Sequence, residues 1–439
     1  MLLALLPAAH AFCGTYVGEA GANLYNHSSE VVLVREGNVT TLTLVNDYSG
    51  DLTNFALLIP VPQVLDESDV TTVDAERVTD LDRYSGPRLV SYTCADASQA
   101  TAMSCGGEAP TSHGVLNRDE EDVDKSVTVE ASFTAGEYGI VVLSSTQSGA
   151  LLSWLDSNGY AVSPNAEALL QEYIDAGSYF LAARVSLEQL PPDNSFLSPL
   201  RIRYRSNVLS LPIRLGTLNS DGVQDFTIYG LNDYTNGELA VSNYPEIALE
   251  DDCMLAEGED ADFGATWQAK VDAAFGEDVG WVREYSWMPT SCDPCPEGGA
   301  LSPETLSAFG YEGDPNTAYF TRLHMRYRPD QITADLQLYA SGVVAPDQMR
   351  FITYMHELES TYPICGVGMV PAEEAGTCAD TTDSATPMSG ESASDEATTG
   401  GCATSAGPRG WLAAAMAAFF SATLLLRRRA YSSSSRPEE

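Results

Sequence analysis

The feature that most restricts the fold of this chain is a series of short runs rich in β-branched and other apolar residues, each bounded by turn-forming residues. The segment EVVLVREGNVTTLTLVND places two such runs around Glu36-Gly37-Asn38, which predicts a β-hairpin with a glycine-containing loop. The next run, LTNFALLIPVP, predicts a strand that ends at its prolines, because proline cannot donate a ladder hydrogen bond. Further predicted strands with antiparallel neighbours lie in EYGIVVLSS, SYFLAARVSL, LRIRYRSNVLSLPIRLGTL, QDFTIYGLN and ELAVSNYPEI.

Helical periodicity occurs between these strands. SGALLSWLDSNGY places its apolar residues on one helical face, and SPNAEALLQEYIDAG predicts a second helix with Ser163 as N-cap, Pro164 at the first position and Gly177 as the stop. Downstream, DFGATWQAKVDAAFG and SPETLSAFG predict helices, GWVREYSWM predicts a strand, and AYFTRLHMRYRPDQITADLQLYA predicts a pair of strands interrupted at Arg328-Pro329-Asp330. The predicted fold class is therefore α+β, with a mostly antiparallel sheet and several short helices.

Composition divides the chain into predicted regions. Residues 12–250 form a β-rich α+β domain, and residues 251–372 are either a smaller α+β unit or a continuation of the same domain. The stretch 66–125 is polar and acidic, and its run NRDEEDVDK is expected to be a solvated loop because like charges repel one another. Residues 373–410 have few large apolar side chains, so they cannot offset the entropy of ordering and are expected to form a flexible linker.

The charge balance excludes one class of partner. The chain has 62 acidic and 22 basic residues and a formal net charge of -40, and its lysines are confined to Lys125 and Lys270. A phosphate-binding surface needs clusters of Lys and Arg, so nucleic acid is not an expected partner. An acidic, lysine-poor surface stays soluble by self-repulsion, which suits a salty external medium.

The amino terminus has the pattern of a secretion signal. LLALLPAAHA supplies a short apolar region, and its small-x-small ending predicts cleavage between Ala11 and Phe12, so residues 1–11 would be a signal peptide. The alternative is a buried first helix, which the break at Pro7 disfavours. Export of the chain is the expectation.

The cysteines agree with export. Setting aside Cys402, which is next to the apolar tail, leaves an even eight, as expected for disulfide bonds formed in an oxidising compartment. Spacing makes local pairs plausible without proving them, and the disulfide candidates are Cys94 with Cys105, Cys365 with Cys378, and Cys292 with Cys295. The C-x-x-C spacing of the last pair also occurs in thioredoxin-like enzymes, but Cys295 is followed directly by Pro296, Glu297 and Gly298-Gly299 and not by a helix. A structural disulfide, or pairing of these two residues with other cysteines, is therefore favoured over redox catalysis.

Motifs for catalysis or cofactor binding are not found. His324 lies in the predicted strand RLHMRY, and a helix is considered for YMHELES, which contains His356. Neither histidine belongs to an H-E-x-x-H or similar pair, so both are interpreted as structural, and no metal or cofactor is predicted. No G-x-S-x-G nucleophile elbow occurs, and NSDGVQD lacks the acidic residue that would complete an EF-hand loop, so a tight turn is favoured there.

Several segments in the same order carry a resemblance to a known family. They are FCGTYVGEAGANLYNHSSEVVLVREG, FALLIPVP, EYGIVVLSSTQSGALLSWLDSNGY, SPLRIRYRSNVLSLPIRLGTLNSDGVQDFTIY, CDPCP and TRLHMRYRPD. Over roughly residues 12–340 the chain resembles the bacterial family catalogued as domain of unknown function 2330. That resemblance implies no activity, substrate or catalytic residue.

The carboxyl terminus resembles a second pattern. Gly401-Cys402, the apolar run 411–426 and the basic cluster Arg427, Arg428 and Arg429 are similar to a myxobacterial C-terminal sorting signal. The run is expected to insert as a transmembrane helix, with the arginines and the rest of 427–439 on the cytoplasmic side by the positive-inside rule. Its length of about 24 Å is short of a ~30 Å hydrocarbon core, which favours a signal processed by a sorting protease; a single-pass anchor is the alternative.

Two functions are consistent with these patterns. The first is an exported protein displayed at the cell envelope or surface, with a non-catalytic role in binding, adhesion or envelope structure and a ligand that the sequence does not identify. The second is an exported enzyme whose active site is assembled from residues distant in sequence. A pocket with converging carboxylates or with His324 would favour the enzyme.

Overall fold

The computed structural model describes residues 15–17, 25–49, 56–94, 126–160, 162, 165–185, 197–220, 222–371, 373–376 and 378. The described residues from Thr15 to Tyr92 and from Ser126 to Cys378 belong to one compact unit, and Thr93 and Cys94 fall in a second. Several predicted features lie outside the described residues: the signal peptide with Ala11 and Phe12, Cys105, NRDEEDVDK, the linker beyond 378, Cys402, the helix 411–426, and Arg427, Arg428 and Arg429.

The described secondary structure is mixed. The strands are β1 Thr15–Val17, β2 Tyr25–Glu36, β3 Val39–Ser49, β4 Ala56–Val61, β5 Val70–Thr72, β6 Arg88–Val90, β7 Val127–Ala135, β8 Tyr138–Ser145, β9 Tyr179–Val185, β10 Leu200–Arg205, β11 Ser210–Leu211, β12 Gln224–Asp233, β13 Leu239–Val241, β14 Cys253–Met254, β15 Gly280–Trp287, β16 Ala318–Tyr327, β17 Leu336–Ala340, β18 Asp347–Gln348 and β19 Arg350–Ile352. The α-helices are α1 Ala75–Ser85, α2 Ser148–Ser157, α3 Ala166–Asp175, α4 Ile213–Gly216, α5 Phe263–Phe275 and α6 Pro303–Ala308, and 3-10 turns occur at Glu67–Asp69, Thr217–Asn219, Tyr234–Asn236, Glu259–Asp262, Pro315–Thr317, Pro329–Gln331 and His356–Leu358.

Two large sheets organise these strands. The first has the order β1-β4-β9-β8-β7, and the second has the order β18-β15-β16-β12-β2-β3-β10-β5. The predicted hairpin is present as β2 and β3, which pair from Glu36 and Val39 outward around Gly37, a residue with a φ of 60° that favours glycine. Most pairs are antiparallel, which confirms the predicted α+β class. The pairs β12 with β2, β14 with β19 and β19 with β6 are parallel, so the expectation of antiparallel neighbours for QDFTIYGLN is only half correct.

Four hydrophobic clusters lie between the two large sheets and on their outer faces. The main cluster joins the two large sheets, with Leu33 and Phe226 from the eight-stranded sheet and Leu57 and Leu181 from the five-stranded one. A second cluster covers the outer face of the five-stranded sheet with α2 and α3. On the outer face of the eight-stranded sheet, one cluster includes α1 and α6, and another includes α5 with β14, β15 and β19. Both faces of the central strands are therefore buried.

Some local expectations are corrected. The acidic stretch 66–125 contains α1, because Val78, Leu81 and Tyr84 form an apolar stripe that packs on the sheet while the rest of the helix stays polar. The helix α3 begins at Ala166 with Asn165 at the N-cap position, two residues beyond the predicted Ser163, which lies outside the described residues. The segment after Pro212 is the short helix α4 rather than strand.

Two further corrections concern the last third of the chain. The strands β16 and β17 do not pair with each other, because β12 and β15 occupy both edges of β16, and β17 instead joins β11 and β13. The possible helix at His356 is a single 3-10 turn. Across the described ranges, no helix combines the length and the apolar composition that crossing a bilayer requires.

Candidate functional site

A row of cations lies on the outer face of β16. Alternate residues of a strand share a face, so Arg322, His324 and Arg326 point together toward the helices, while Leu323 and Met325 point into the core between the sheets. Phe275 of α5 contacts the His324 ring with a centroid distance of 6.1 Å. Three cationic side chains in a largely buried strand require buried partners.

A β-bulge supplies the central partner. The β15–β16 register shifts between the pairs Arg283–Leu323 and Tyr285–Arg322, which leaves Glu284 of β15 as the extra, unpaired residue. Its Oε2 accepts from Arg322 Nε at 2.5 Å, and its Oε1 lies 3.0 Å from His324 Nδ1. Because the Glu284 side chain is only 1% exposed, these partners replace the water that a carboxylate otherwise needs.

The pairing continues in both directions. On β12, Asp225 Oδ1 lies 2.8 Å from His324 Nε2 and accepts from Arg326 Nη1 at 3.0 Å. Beyond these, Arg326 Nη2 donates to Asp272 of α5 at 2.6 Å, and Arg322 Nη1 donates to Asp82 of α1 at 2.7 Å. Seven residues with alternating charge thus connect the two helices across the sheet, and we call them the charge chain: Asp82, Arg322, Glu284, His324, Asp225, Arg326 and Asp272.

The charge chain fixes the state of His324. Burial disfavours the imidazolium, but hydrogen bonds to Asp225 and Glu284 outweigh this effect and raise the pKa of His324 to about 9. Burial also opposes charge on Glu284, yet Arg322 and His324 hold the pKa of that carboxyl below its usual range. Since both ring nitrogens of His324 face carboxylates, neither is available to accept a proton from a substrate.

A cleft opens beside one end of the charge chain. It has a volume of about 600 Å³ and is bordered by the end of α1, by β6 with Ser91 and Tyr92, by Trp267 of α5, and by residues 294–296. Asp82 and Arg322 line it as well, so the cleft and the charge chain share these two residues. His324, Glu284 and Asp225 are not among the lining residues, so no carboxylates converge with His324 in the cleft.

Arg88 differs from the arginines of the charge chain. Its Nη1 donates to the Pro294 carbonyl at 2.9 Å and its Nη2 donates to the Tyr84 carbonyl, but it forms no ion pair with a described carboxylate. Its buried Nε has no hydrogen-bond partner among the described residues. Burial lowers the pKa of Arg88, and the nearby Arg322 acts in the same direction, whereas Tyr285 and Tyr84 oppose the shift. The cleft therefore contains a half-buried cation for which the described residues supply no counter-charge.

One wall of the cleft is the disulfide loop. Cys292 and Cys295 are disulfide-bonded, and Cys295 is exposed and lines the cleft. The loop carbonyls accept from three side chains: Arg88 at Pro294, Gln348 at Asp293, and Arg350 at Asp293. The residues that follow Cys295 form no α-helix before Pro303, so the helix N-terminus that stabilises a catalytic thiolate in C-x-x-C enzymes is missing here.

Buried tyrosines hold the start of the same loop. The hydroxyls of Tyr84 and Tyr285 lie 2.5 Å apart, and both reach the Ser291 carbonyl, at 2.5 and 2.6 Å. Burial raises the pKa of both phenols, so they remain neutral and act as positioning groups. The loop is therefore fastened to α1 and β15.

Cys365 is paired differently from the local pairing with Cys378 that its spacing suggested. It is bonded to Cys253, which lies 112 residues earlier, because a parallel bridge between Met254 and Ile364 places the two cysteines side by side. The suggested pair of Cys94 with Cys105 is not tested, since Cys105 lies outside the described residues. Cys94 and Cys378 each take part in a disulfide bond. His356 is exposed and its Nδ1 lies 3.0 Å from Glu359 Oε2. Within the described ranges, no group of three or more His, Cys, Asp or Glu residues is arranged to hold a metal ion.

The sequence patterns did not identify this site. The charge chain depends on pairing between strands that are distant in sequence, and only the alternation of Arg322, His324 and Arg326 in an otherwise apolar strand could have indicated it. Arg88 has no sequence signal, because its lack of a carboxylate partner is a property of the fold.

The fold and the site together define an α+β protein with two facing sheets, helices on both outer faces and an arginine-lined cleft. The chain belongs to the bacterial family DUF2330, described as an uncharacterized protein conserved in bacteria, and the family match covers residues 7–339. This match confirms the family resemblance found in the sequence. No curated protein and no solved structure matches the chain.

Proposed function

We propose that this protein is exported, anchored at the cell envelope or surface, and acts there by binding a ligand rather than by catalysis. The observation that carries the binding role is the division between the charge chain and the cleft. The acid and base groups of the charge chain are bonded to one another, whereas the cleft retains Arg88, for which the described residues supply no carboxylate, together with the aromatic residues Trp267 and Tyr92.

Export is supported by the chemistry of the chain. Disulfides persist in oxidising compartments, and the pairs Cys253–Cys365 and Cys292–Cys295 fit that environment. The sequence patterns around Ala11 and Cys402 add a signal peptide and a sorting signal to the proposal, with the membrane and a sorting protease as partners. Nucleic acid is not a proposed partner, because the net charge of the chain is -40.

A tag placed after Glu439 tests the location. We expect the surface-exposed protein to lack the tag, because the proposed sorting step removes the helix 411–426, and we expect Cys402→Ala to leave a tag-bearing form in the membrane. Replacing Arg427, Arg428 and Arg429 together by Ser should impair retention, since positive charges hold the carboxyl end inside. If wild-type protein at the surface keeps the tag, the segment is a simple anchor, and if no protein reaches the envelope, the proposal is wrong.

One observation favours an enzymatic alternative. Cys295 is exposed and lines the cleft, so a thiol–disulfide oxidoreductase could use the Cys292–Cys295 pair. The purified protein would then reduce or isomerise a test disulfide at a rate that Cys292→Ser and Cys295→Ser abolish. We expect no such activity, because no helix N-terminus lowers the pKa of either thiol.

A further inference from the structure

We infer that the cleft beside Arg88 binds small organic anions, in which a carboxylate or phosphate group is attached to an apolar or ring-shaped body. This inference rests on the proposed binding function and names the class of ligand. It is carried by the sign of the charge in the cleft, by the free donors of Arg88 and by the apolar character of the remaining lining.

The sign of the charge in the cleft is opposite to that of the chain. The charged lining residues are Asp82, Arg83, Arg88 and Arg322, whereas the whole chain has a net charge of -40. Asp82 is bonded to Arg322, and Arg83 donates to Asp80 at 2.6 Å. Arg88 alone among these cations has no described carboxylate, so the cleft holds an excess positive charge.

An anion at Arg88 would remove an unfavourable arrangement. A half-buried guanidinium has lost part of its hydration, and the neighbouring Arg322 adds repulsion between like charges. Arg88 makes two hydrogen bonds to described residues, both from its Nη atoms to backbone carbonyls. Its Nε is buried, so the remaining N–H groups of Nη1 and Nη2 are the donors left for an oxyanion. Charge-assisted bonds of this kind are stronger than the bonds to neutral carbonyls that Arg88 now makes.

The arginine is held in place before a ligand arrives. Its two carbonyl partners belong to the end of α1 and to the disulfide loop, and that loop is itself fixed by the tyrosine hydroxyls at Ser291. A cation held in this way loses little side-chain entropy on binding, which favours affinity.

The rest of the lining fits an apolar body. Trp267, Pro87, Leu89, Pro294 and Pro296 contribute apolar surface, and Tyr92 adds an aromatic ring. The volume of about 600 Å³ lies within the range of roughly 300–1,000 Å³ that is typical of small-molecule sites. A bare inorganic ion would leave most of this surface unused, so we expect an organic anion.

Titration of the purified full-length protein tests the inference. The probes are phenyl phosphate and benzoate, which represent the two sources of an oxyanion, together with inorganic phosphate and the neutral benzyl alcohol, and binding is followed by ligand NMR. We expect one or both aromatic anions to bind at least about tenfold more tightly than benzyl alcohol, with affinity that falls as salt rises from low to high concentration. The anion that binds more tightly shows whether the cleft prefers a phosphate or a carboxylate group.

Two variants test the role of Arg88. Arg88→Gln should weaken binding of the aromatic anions by about 10–100-fold, the usual range for a lost hydrogen bond to a charged group. Arg201→Gln is the matched control, because Arg201 is also half-buried, also donates to a backbone carbonyl, at Ala308, and does not line the cleft. It should change affinity by less than about twofold.

A third variant keeps the test decisive if Arg88→Gln does not fold. Ser91 is exposed and lines the cleft, so Ser91→Asp adds a negative charge without removing Arg88, and it should weaken binding of the anions but not of benzyl alcohol. The inference is overturned if neither anion binds at millimolar concentration, if benzyl alcohol binds as tightly, or if the Arg88 and Ser91 variants bind like wild type. None of these results bears on where the protein is displayed, which the tag after Glu439 tests separately.

Discussion

Arg322 and Arg88 are neighbours with opposite surroundings. The guanidinium of Arg322 is bonded to Glu284 and Asp82 and lies 5.3 Å from the Tyr229 ring centroid, so its charge is compensated within the fold. Among the described residues, Arg88 is bonded to two backbone carbonyls and to no carboxylate. Both arginines line one cleft, yet one belongs to a closed ionic network and the other is open to a ligand. The difference separates a group that stabilises the protein from a group that can recognise a partner.

The first prediction from this comparison concerns Glu284. Glu284→Gln should lower the free energy of unfolding by about 3–5 kcal/mol, because it leaves two buried cations, Arg322 and His324, without their shared carboxylate. Urea denaturation of wild type and variant would measure this loss. Asp272→Asn is the control at the exposed end of the same charge chain, where a loss of less than about 1 kcal/mol is expected. Equal losses at both positions would mean that the charge chain is not organised around Glu284.

The second prediction concerns pH. The pKa of His324 is raised from 6.5 in the unfolded chain to about 9 in the folded protein, so its contribution to stability is complete below pH 6.5 and is lost as the pH rises through about 9. We expect the free energy of unfolding to fall by about 2–3 kcal/mol over this range, measured by urea denaturation at a series of pH values. The groups that face His324 and produce this shift are Glu284 and Asp225.

Two variants, His324→Gln and His356→Gln, test whether His324 causes this loss of stability with rising pH. The first variant should lose most of the decline between pH 6.5 and pH 9, because it removes the titrating group. The second should keep the wild-type profile, because His356 is exposed and lies outside the charge chain. A wild-type decline that survives in His324→Gln would show that another group controls it.

The third prediction compares the stability that a long-range disulfide and a local disulfide contribute. Cys253–Cys365 joins segments 112 residues apart within a buried cluster, whereas Cys292–Cys295 spans a separation of 3 residues at the cleft. On the chain-entropy account, replacing the local pair with Ser should cost only about 2 kcal/mol, and replacing the long-range pair about 5 kcal/mol. Thermal unfolding of the two double variants would rank them. A larger loss at the local pair would show that the loop carries strain or contacts beyond chain closure.

Local patterns predicted the parts of the fold that local interactions determine. The hairpin at Gly37, the helix α5 and the Ser302-capped helix α6 each depend on residues close in sequence. The charge chain depends on the β15 bulge at Glu284 and on the register that places Asp225 opposite Arg326, and neither is encoded in a short window. The helix α1 was missed because its apolar stripe is narrow and its other positions are charged. Arg88 could not be recognised, since a missing partner becomes visible only when all neighbours are placed.

The last prediction concerns the stability of the Arg88→Gln variant, for which the smallest effect is expected. Arg88→Gln should lower the free energy of unfolding by only about 1–2 kcal/mol, because it removes bonds to two neutral carbonyls while also removing a half-buried charge that no carboxylate compensates. The measurement is urea denaturation beside Glu284→Gln, without ligand. A modest loss of stability together with a large loss of anion binding would place Arg88 on the recognition side of the comparison. If Arg88→Gln destabilises the protein as much as Glu284→Gln does, the two arginines serve the same structural purpose, and the distinction between closed network and open cleft fails.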